Sequence, residues 1–393
     1  MTHIFGAVAW LVALAWVYKC AEAAVGYPKV PNLALPWADL AGATRSSLVV
    51  IVPARNEQED IADCLESLLR QEYTDLHIIA VDDRSTDATG AIMDWIAAHA
   101  PGRLGVLHIK ELPAGWLGKT HALATAAQMA IKRYDPDYLL FTDGDVVFDP
   151  SILRRTLAYV AEVSADHFVV MPTTIAKTWR EAAILSFLQV SSLWAMRPWR
   201  VSDPNAKRDA VGIGAFNLVS TAAYRQIGGF EAAPMEVLED LFLGRRIKWS
   251  GLRQGVAIAP GMVTVHWAAG AMGLVRGLTK NIFAVFRLRP MFLLAAASGI
   301  LLNSVAPVAF IALPATRIAG ILALAVVFGV YSISSRASRI SPLYVAFFPF
   351  AGLVVVYAML RSMFVTLCNR GIIWRGTFYP LDELQRGMVR PRK

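Results

Sequence analysis

The stretch Tyr138–Phe148, YLLFTDGDVVF, decides how this chain is read: a short apolar run delivers two carboxylates, Asp143 and Asp145, with Gly144 between them. A run of that length, bounded by turn residues, reads as a buried strand, here Tyr138–Phe141. Upstream the pattern repeats. Leu48–Val52 reads as a buried strand followed by PARNE (53–57) and a helix with Ile61, Leu65, Leu68 and Leu69 at helical spacing. Leu76–Val81 is the next strand and runs directly into VDDRSTD (81–87). Val106–Ile109 is a third strand and Leu123–Ala130 a helix. Strands alternating with helices mark an α/β domain. In an open parallel sheet, ligands bind beyond the carboxyl ends of the strands, so these acidic loops are expected to meet at one cleft. Downstream lie a strand at His167–Met171, an aromatic helical segment at Glu181–Trp199, and the segments VGIGAFN (211–217), IGGF (227–230) and VLEDLFLGRRIKWSG (237–251).

The rest of the 393 residues is a different material. Hydrophobic residues make up 56% and charged residues only 17%, below the ~25% charged of an ordinary soluble protein, and the mean hydropathy is +0.46. The excess is localised. His3–Val25 reads as an N-terminal span, its uncharged part shortened by Lys19 and Glu22, and it has neither the basic start nor the small-residue cleavage site of a signal peptide. Three more apolar runs, Met291–Leu313, Ile318–Ser334 and Leu343–Leu367, lie toward the C-terminus. Between Ala268 and Pro290, Arg276, Lys280, Arg287 and Arg289 interleave with Leu274, Leu278, Ile282, Phe283 and Phe286, the pattern of an amphipathic interfacial helix. The expected organisation is an anchor at 1–27, an α/β domain at 46–267, the interfacial segment at 268–290, a transmembrane region at 291–367 and a basic tail at 368–393.

The net charge of +8 gathers near membrane-adjacent segments and forms no recognition stripe, so nucleic acid is not an expected partner. Anionic lipid and a phosphorylated substrate fit it better. Cys20, Cys64 and Cys368 are odd in number and widely spaced, which implies neither a disulfide framework nor a zinc site.

Two carboxylates after a strand suit a hard cation, Mg2+ or Mn2+, which takes one or two protein carboxylates and completes its shell with substrate phosphates. A lone pair of this kind reads more often as an acidic turn that caps the next helix, and its place at a strand end is what favours metal for Asp143 and Asp145. Asp82 and Asp83 can accept from ribose hydroxyls and base N–H groups, whereas Asp87 reads as a turn former and Asp149 as part of the turn before Pro150. Arg55 and Glu57 stand where a base could lie. Lys119, in GWLGKTHA (115–122), can balance phosphate as a point charge, although the loop is too short for a P-loop. Glu239 and Asp240 open a helix, where acids complement the macrodipole. With metal assigned elsewhere, Asp240 is the candidate base and Glu239 its supporting group. Trp179, Trp194, Trp199 and Trp249 read mainly as packing or interfacial-belt residues.

The ordered set PARNE, VDDRSTD, GWLGK, TDGD, IGGF and LEDLFLGRR resembles the family 2 glycosyltransferases over about Leu48–Trp267. The spans at both ends are similar to those of ceramide glucosyltransferase-like and hopanoid- or carotenoid-associated members. The resemblance implies the GT-A fold, a Rossmann-like α/β domain for nucleotide-diphospho-sugar transfer, with transmembrane helices at both ends. It also implies inverting transfer from a nucleotide sugar, usually a UDP sugar, with uridine near Pro53, Arg55, Glu57 and Asp83. By that resemblance Asp145 is the more direct ligand of the divalent cation, Asp143 steadies the nucleotide or shares the metal, and Asp240 is the base. One departure stands out: the (Q/R)xxRW motif of processive and ceramide-type members is absent, and GLVRGLTKN (273–281) offers Arg276 and Lys280 without the tryptophan. Single-sugar transfer to a membrane lipid is therefore expected ahead of a polysaccharide synthase subunit, a transporter or a non-catalytic scaffold. The domain is expected at the cytoplasmic face, where nucleotide sugars are made. Four full spans would then put the basic tail outside, against the positive-inside tendency, so one run, that containing Pro349 and Gly352, is expected to be re-entrant or interfacial.

Overall fold

The computed structural model describes residues 2–39 and 46–387; Arg390, Arg392 and Lys393 of the basic tail lie outside the described residues. In chain order the elements begin with α1 (Thr2–Gly26), β1 (Leu48–Ala54), α2 (Ile61–Leu69), β2 (Leu76–Asp83), α3 (Thr89–His99), β3 (Leu104–Ile109) and α4 (Gly118–Tyr134). There follow β4 (Tyr138–Phe141), β5 (Val146–Phe148), α5 (Ile152–Val163), β6 (His167–Met171), β7 (Thr173–Thr174), α6 (Trp179–Ala195), β8 (Asn217–Ser220), α7 (Thr221–Ile227) and α8 (Glu239–Trp249). The chain continues through β9 (Gln254–Ile258), β10 (Val263–Val265), α9 (Gly270–Val285), α10 (Pro290–Ser304), α11 (Ala306–Ala312), α12 (Arg317–Ser338) and α13 (Phe348–Cys368), then β11 (Gly371–Trp374), β12 (Thr377–Pro380) and α14 (Leu381–Gly387). Two compact units divide these elements: 30–39, 46–173, 200–266 and 386–387 in one, and 2–29, 174–199 and 267–385 in the other. The α/β unit thus begins before residue 46 and does not include α6, which the sequence placed inside a continuous 46–267 domain.

The α/β unit is built on a seven-stranded sheet of order β3-β2-β1-β4-β8-β6-β9. The first four strands are parallel, in register Leu48↔Leu76 and Leu48↔Tyr138. The sheet is not parallel throughout, because β8 runs antiparallel to both β4 and β6. Burial explains the composition of β1: all seven of its residues are buried, as expected of a strand covered on both faces. Pro53 sits in this central strand without breaking a ladder. The Ile51 carbonyl points toward β4 and accepts from the Thr142 N–H, so the Pro53 nitrogen faces the same side, beyond the last β1–β4 pair, Ile51↔Phe141. Two apolar clusters fill the two faces, one with Leu65, Ile78 and Phe216, the other with Leu123, Phe141 and Phe230. A smaller sheet of order β5-β10-β7 continues from the acidic loop after β4.

Among the described residues, the helical unit contains three helical stretches long and apolar enough to cross a membrane, His3–Lys29, Arg317–Ser338 and Pro342–Cys368, and a bent pair, α10 with α11, that reaches the needed length only together. Ile4, Leu11, Ile318, Phe350 and Phe364 stand more than half exposed on these helices, as side chains facing hydrocarbon would. Lys19 and Glu22 do not interrupt α1: Lys19 Nζ lies 2.7 Å from Glu22 Oε2 and donates to the Leu193 carbonyl of α6, and Arg197 pairs with Glu22 at 3.3 Å. The run containing Pro349 and Gly352, expected to be re-entrant or interfacial, is long and apolar enough to cross a membrane, and the bent pair lies elsewhere. Pro349 lies at the N-terminal end of α13, where its missing N–H is harmless, whereas the α10–α11 junction bends by 40°. Pro307, on α11, cannot donate to the Asn303 carbonyl four residues back, and the Trp16 indole N–H takes that acceptor at 3.1 Å. Residues 371–387 are not a plain tail but a two-stranded hairpin, in register Gly371↔Pro380, followed by the short α14.

Candidate active site

At the carboxyl end of β1, the PARNE loop is stitched to the VDDRSTD loop that follows β2. Asn56 adopts a left-handed conformation, φ 57°, and its Oδ1 accepts from the Thr86 N–H while its own N–H donates to Ser85 Oγ. The Glu57 N–H donates to Thr89 Oγ1, and the Gln58 side chain accepts from the Ala88 N–H. Asp87 closes this junction as a turn former, accepting from the Thr89 N–H and hydroxyl. Asp149 does the same for Ser151.

The two adjacent carboxylates at the end of β2 divide. Asp82 accepts from the Ser85 N–H at 3.0 Å and faces His108 Nδ1 at 3.1 Å, so its oxygens serve the turn and β3. His108 bridges Asp82 and Asp94, and hydrogen bonds to Asp94 first and Asp82 second hold its pKa above the usual imidazole value. Asp83 is gripped by Arg84, Nε to Oδ1 at 2.8 Å and Nη2 to Oδ2 at 3.1 Å. A Cβ at Gly118 would overlap the Asp83 carboxylate, so glycine is what lets α4 start there.

The TDGD loop, the start of α4 and the start of α8 meet. Lys119 Nζ lies 2.5 Å from Asp143 Oδ1 and 2.6 Å from Glu239 Oε1, so the lysine expected to balance phosphate links the two acidic sites in the protein. Burial acts to lower the Lys119 pKa, but the charges of Asp143, Glu239 and Asp240 hold it above the ordinary lysine value. A cleft here is lined by Lys119, Asp143, Gly214, Asn217, Glu239 and Asp240. Burial, then the charge of Glu239, pushes the Asp240 carboxyl up to about 7. Its Oδ2 accepts from the Gly214 N–H at 2.9 Å and its Oδ1 from the Leu241 N–H at 2.6 Å. Asp145 is also pushed up to about 7, by burial first and then by the charges of Asp143 and Glu57. Glu57 is thereby placed beside the acidic pair. Among the described residues no three His, Cys, Asp or Glu side chains form a ready metal cage.

Sequence reasoning gave VGIGAFN no role. A Cβ at Gly212 would overlap the Asp240 carbonyl oxygen, and one at Gly214 would lie 2.5 Å from Asp143 Oδ2. The paired glycines were the available signal, since close backbone approach demands them. Three buried residues, His167, Asn217 and Gln254, were missed altogether; they carry no local signature and meet only through the sheet.

Residues 49–225 match glycosyl transferase family 2. A 4,4'-diaponeurosporenoate glycosyltransferase from Staphylococcus aureus strain bovine RF122 is 25% identical over 241 residues, 60% of this chain and 60% of that protein. The counterpart from S. aureus strain USA300 is 25% identical over 202 residues, 50% of each chain. The chain therefore spans only half to 60% of the length of these curated relatives. A mannosyltransferase from Pyrobaculum calidifontis, solved with GDP-Man and Mn2+, superposes with a TM-score of 0.53 at 16% identity, covering 92% of this chain and 99% of that one, a likeness of fold. Residues 49–225 are thus a glycosyl transferase family 2 domain, built on the GT-A fold.

Proposed function

We propose that this protein transfers one sugar from a nucleotide sugar, a UDP sugar, to a hydroxyl group on a membrane lipid, with inversion and with Mg2+ or Mn2+ bound. The observation that carries the reading is the meeting of Asp143, Lys119 and the Glu239–Asp240 pair on one cleft. The crowded carboxylates fit a cation: burial and like charge raise the Asp145 pKa in a way that a bound dication would reverse. Asp143 and Asp145 would hold it, Asp145 the more directly, and when bound it supplies charge neutralisation on the departing diphosphate. Lys119 adds positive charge on the same side. Arg55, Glu57, Asp83 and the backbone at Pro53 line the nucleoside end, and Asp82 supports them through the turn it closes.

Asp240 takes the proton from the acceptor hydroxyl. As it does so, the acceptor oxygen bonds to the anomeric carbon and the bond from that carbon to the diphosphate oxygen breaks. A pKa near 7 matches a base to neutral conditions, and the two backbone N–H groups on the carboxylate fix its aim. The relatives are diaponeurosporenoate glycosyltransferases, a name that ends as a carboxylate, which gives a second reading. A carboxylate acceptor is already ionised and makes far smaller demands on Asp240 than a hydroxyl does.

The domain faces the cytoplasm in this reading, with α1, α12 and α13 crossing and the bent α10–α11 pair re-entrant. Three crossings return Arg370, Arg375 and Arg386 to the cytoplasmic side, in keeping with the positive-inside tendency. The test is to incubate membranes containing the full chain with labelled UDP-glucose, UDP-galactose, UDP-N-acetylglucosamine and GDP-mannose, with MnCl2 or with EDTA, and to identify labelled lipid by mass spectrometry. A single-sugar lipid formed from a UDP donor and lost with EDTA supports the proposal. Polymer, or transfer indifferent to EDTA, contradicts it.

A further inference from the structure

We propose that Gln254, on β9 and outside the residues that match the family, is a positioning residue that aims the Asp240 carboxylate through two arms of one buried network. This rests on Asp240 acting as the base. The Gln254 side chain is 3% exposed. Its Oε1 accepts from the Val211 N–H at 3.1 Å, and its Nε2 donates back to the Val211 carbonyl at 3.0 Å. The same Nε2 faces the Gly244 carbonyl of α8 at 3.1 Å and His167 Nδ1 of β6 at 3.0 Å. An amide with two N–H groups that faces three acceptors cannot turn over without leaving the Val211 N–H unpaired in the interior, so its orientation is fixed.

The first arm runs through the main chain. Val211 opens the VGIG segment, and three residues on the Gly214 N–H holds Asp240 Oδ2. The glycines hold this segment hard against α8: a Cβ at Gly244 would overlap the Val211 carbonyl, as one at Gly212 would overlap that of Asp240. The second arm runs through side chains. His167 Nε2 meets Asn217 Oδ1 at 2.5 Å, and Asn217 Nδ2 donates to the Asp240 carbonyl at 3.4 Å. One amide thus fixes both the carboxylate's hydrogen-bond donor and the backbone that carries it. The direct partners of the Gln254 side chain are Val211, Gly244 and His167, and both arms end on hydrogen bonds to Asp240, so its principal effect is on the base.

The test uses the full chain in detergent micelles, with MnCl2 and whichever of the four nucleotide sugars gives the most labelled lipid. Gln254→Leu is expected to lower kcat on the order of 10- to 100-fold, as a small misplacement of a reacting group does, with the donor KM and the affinity for UDP within about twofold. In an Asp240→Asn background the same change adds no further loss, because the carboxylate that both arms aim is gone. Asn217→Leu cuts one arm and gives a smaller loss with the same split; should Gln254→Leu fail to fold, this variant decides the matter alone. An unchanged kcat, or kcat and KM moving together, overturns the inference. If Asp240→Asn itself keeps full turnover, the assignment of the base has failed; if Asp240→Asn is inactive while Gln254→Leu is not, only the role of Gln254 has failed.

Discussion

At the scale of the residue, this site is a problem of crowded negative charge. Asp143, Glu239 and Asp240 gather at the Lys119 ammonium while the charges of Asp143 and Glu57 press on Asp145, and the carboxyls of Asp145 and Asp240 respond by shifting up to about 7. His167 shows the opposite response to burial. Its ring is enclosed between Asn217 and Gln254, and desolvation pushes its pKa down to about 4. The unfolded chain, with an ordinary value near 6.5, binds the proton that the folded chain refuses. Stability contributed by neutral His167 is therefore complete above about pH 6.5 and is lost as the pH falls toward about 4, on the order of 3 kcal/mol over the window. Melting of the purified chain in micelles between pH 7.5 and pH 4.5 checks this: the drop is expected to be smaller for His167→Phe than for the unaltered chain. The acidic pairs after β2 and β4 were visible in the sequence because each follows a strand within a few residues, and Glu239–Asp240 because it opens a helix. The His167–Asn217–Gln254 network was not, because its members are separated by 50 and 87 positions from His167 and are ordinary residues until the sheet joins them.

At the scale of the element, alternating apolar runs and acidic turns were enough for β1, β2, β4 and the helices between them. What they did not provide was direction. β8 is only four residues long, Asn217–Ser220, too short for periodicity to speak, and its antiparallel insertion between β4 and β6 is a tertiary fact. That insertion has a functional consequence, since it carries Asn217 to the start of α8 and lays the VGIG segment across it. The helical unit repeats the lesson. Pro349 and Gly352 drew attention in the sequence, but a proline at a helix start costs little, and the bend falls where Pro307 leaves the Asn303 carbonyl without its helical donor. Trp16 answers that vacancy while packing edge-on against Trp194 and Phe348, with ring centroids at 5.2 and 5.7 Å. Trp16→Phe keeps much of the apolar packing and removes the donor. It is expected to cost about 1–3 kcal/mol, seen as a lower melting temperature of the chain in micelles, whereas Trp194→Phe leaves that hydrogen bond in place and is expected to cost less.

At the scale of the molecule, the chain joins a family 2 glycosyltransferase domain to helices long and apolar enough to cross a bilayer. If α1, α12 and α13 cross and the α10–α11 pair does not, the C-terminus returns to the side of the domain. A fluorescent protein fused at the C-terminus is then expected to be bright and alkaline phosphatase fused at the same point inactive; the reverse pattern would require α10–α11 to cross as well. The central claim, that Asp145 serves the metal-bound donor and Asp240 the acceptor, is tested most directly by titrating UDP into purified chain with and without MnCl2 by calorimetry. The account predicts that Asp145→Asn loses most of the Mn2+-dependent gain in UDP affinity, while Asp240→Asn keeps it even though its transfer falls about 100- to 10,000-fold. Retention of that gain by Asp145→Asn, or its loss in both variants alike, would contradict the division of labour between the two acidic sites.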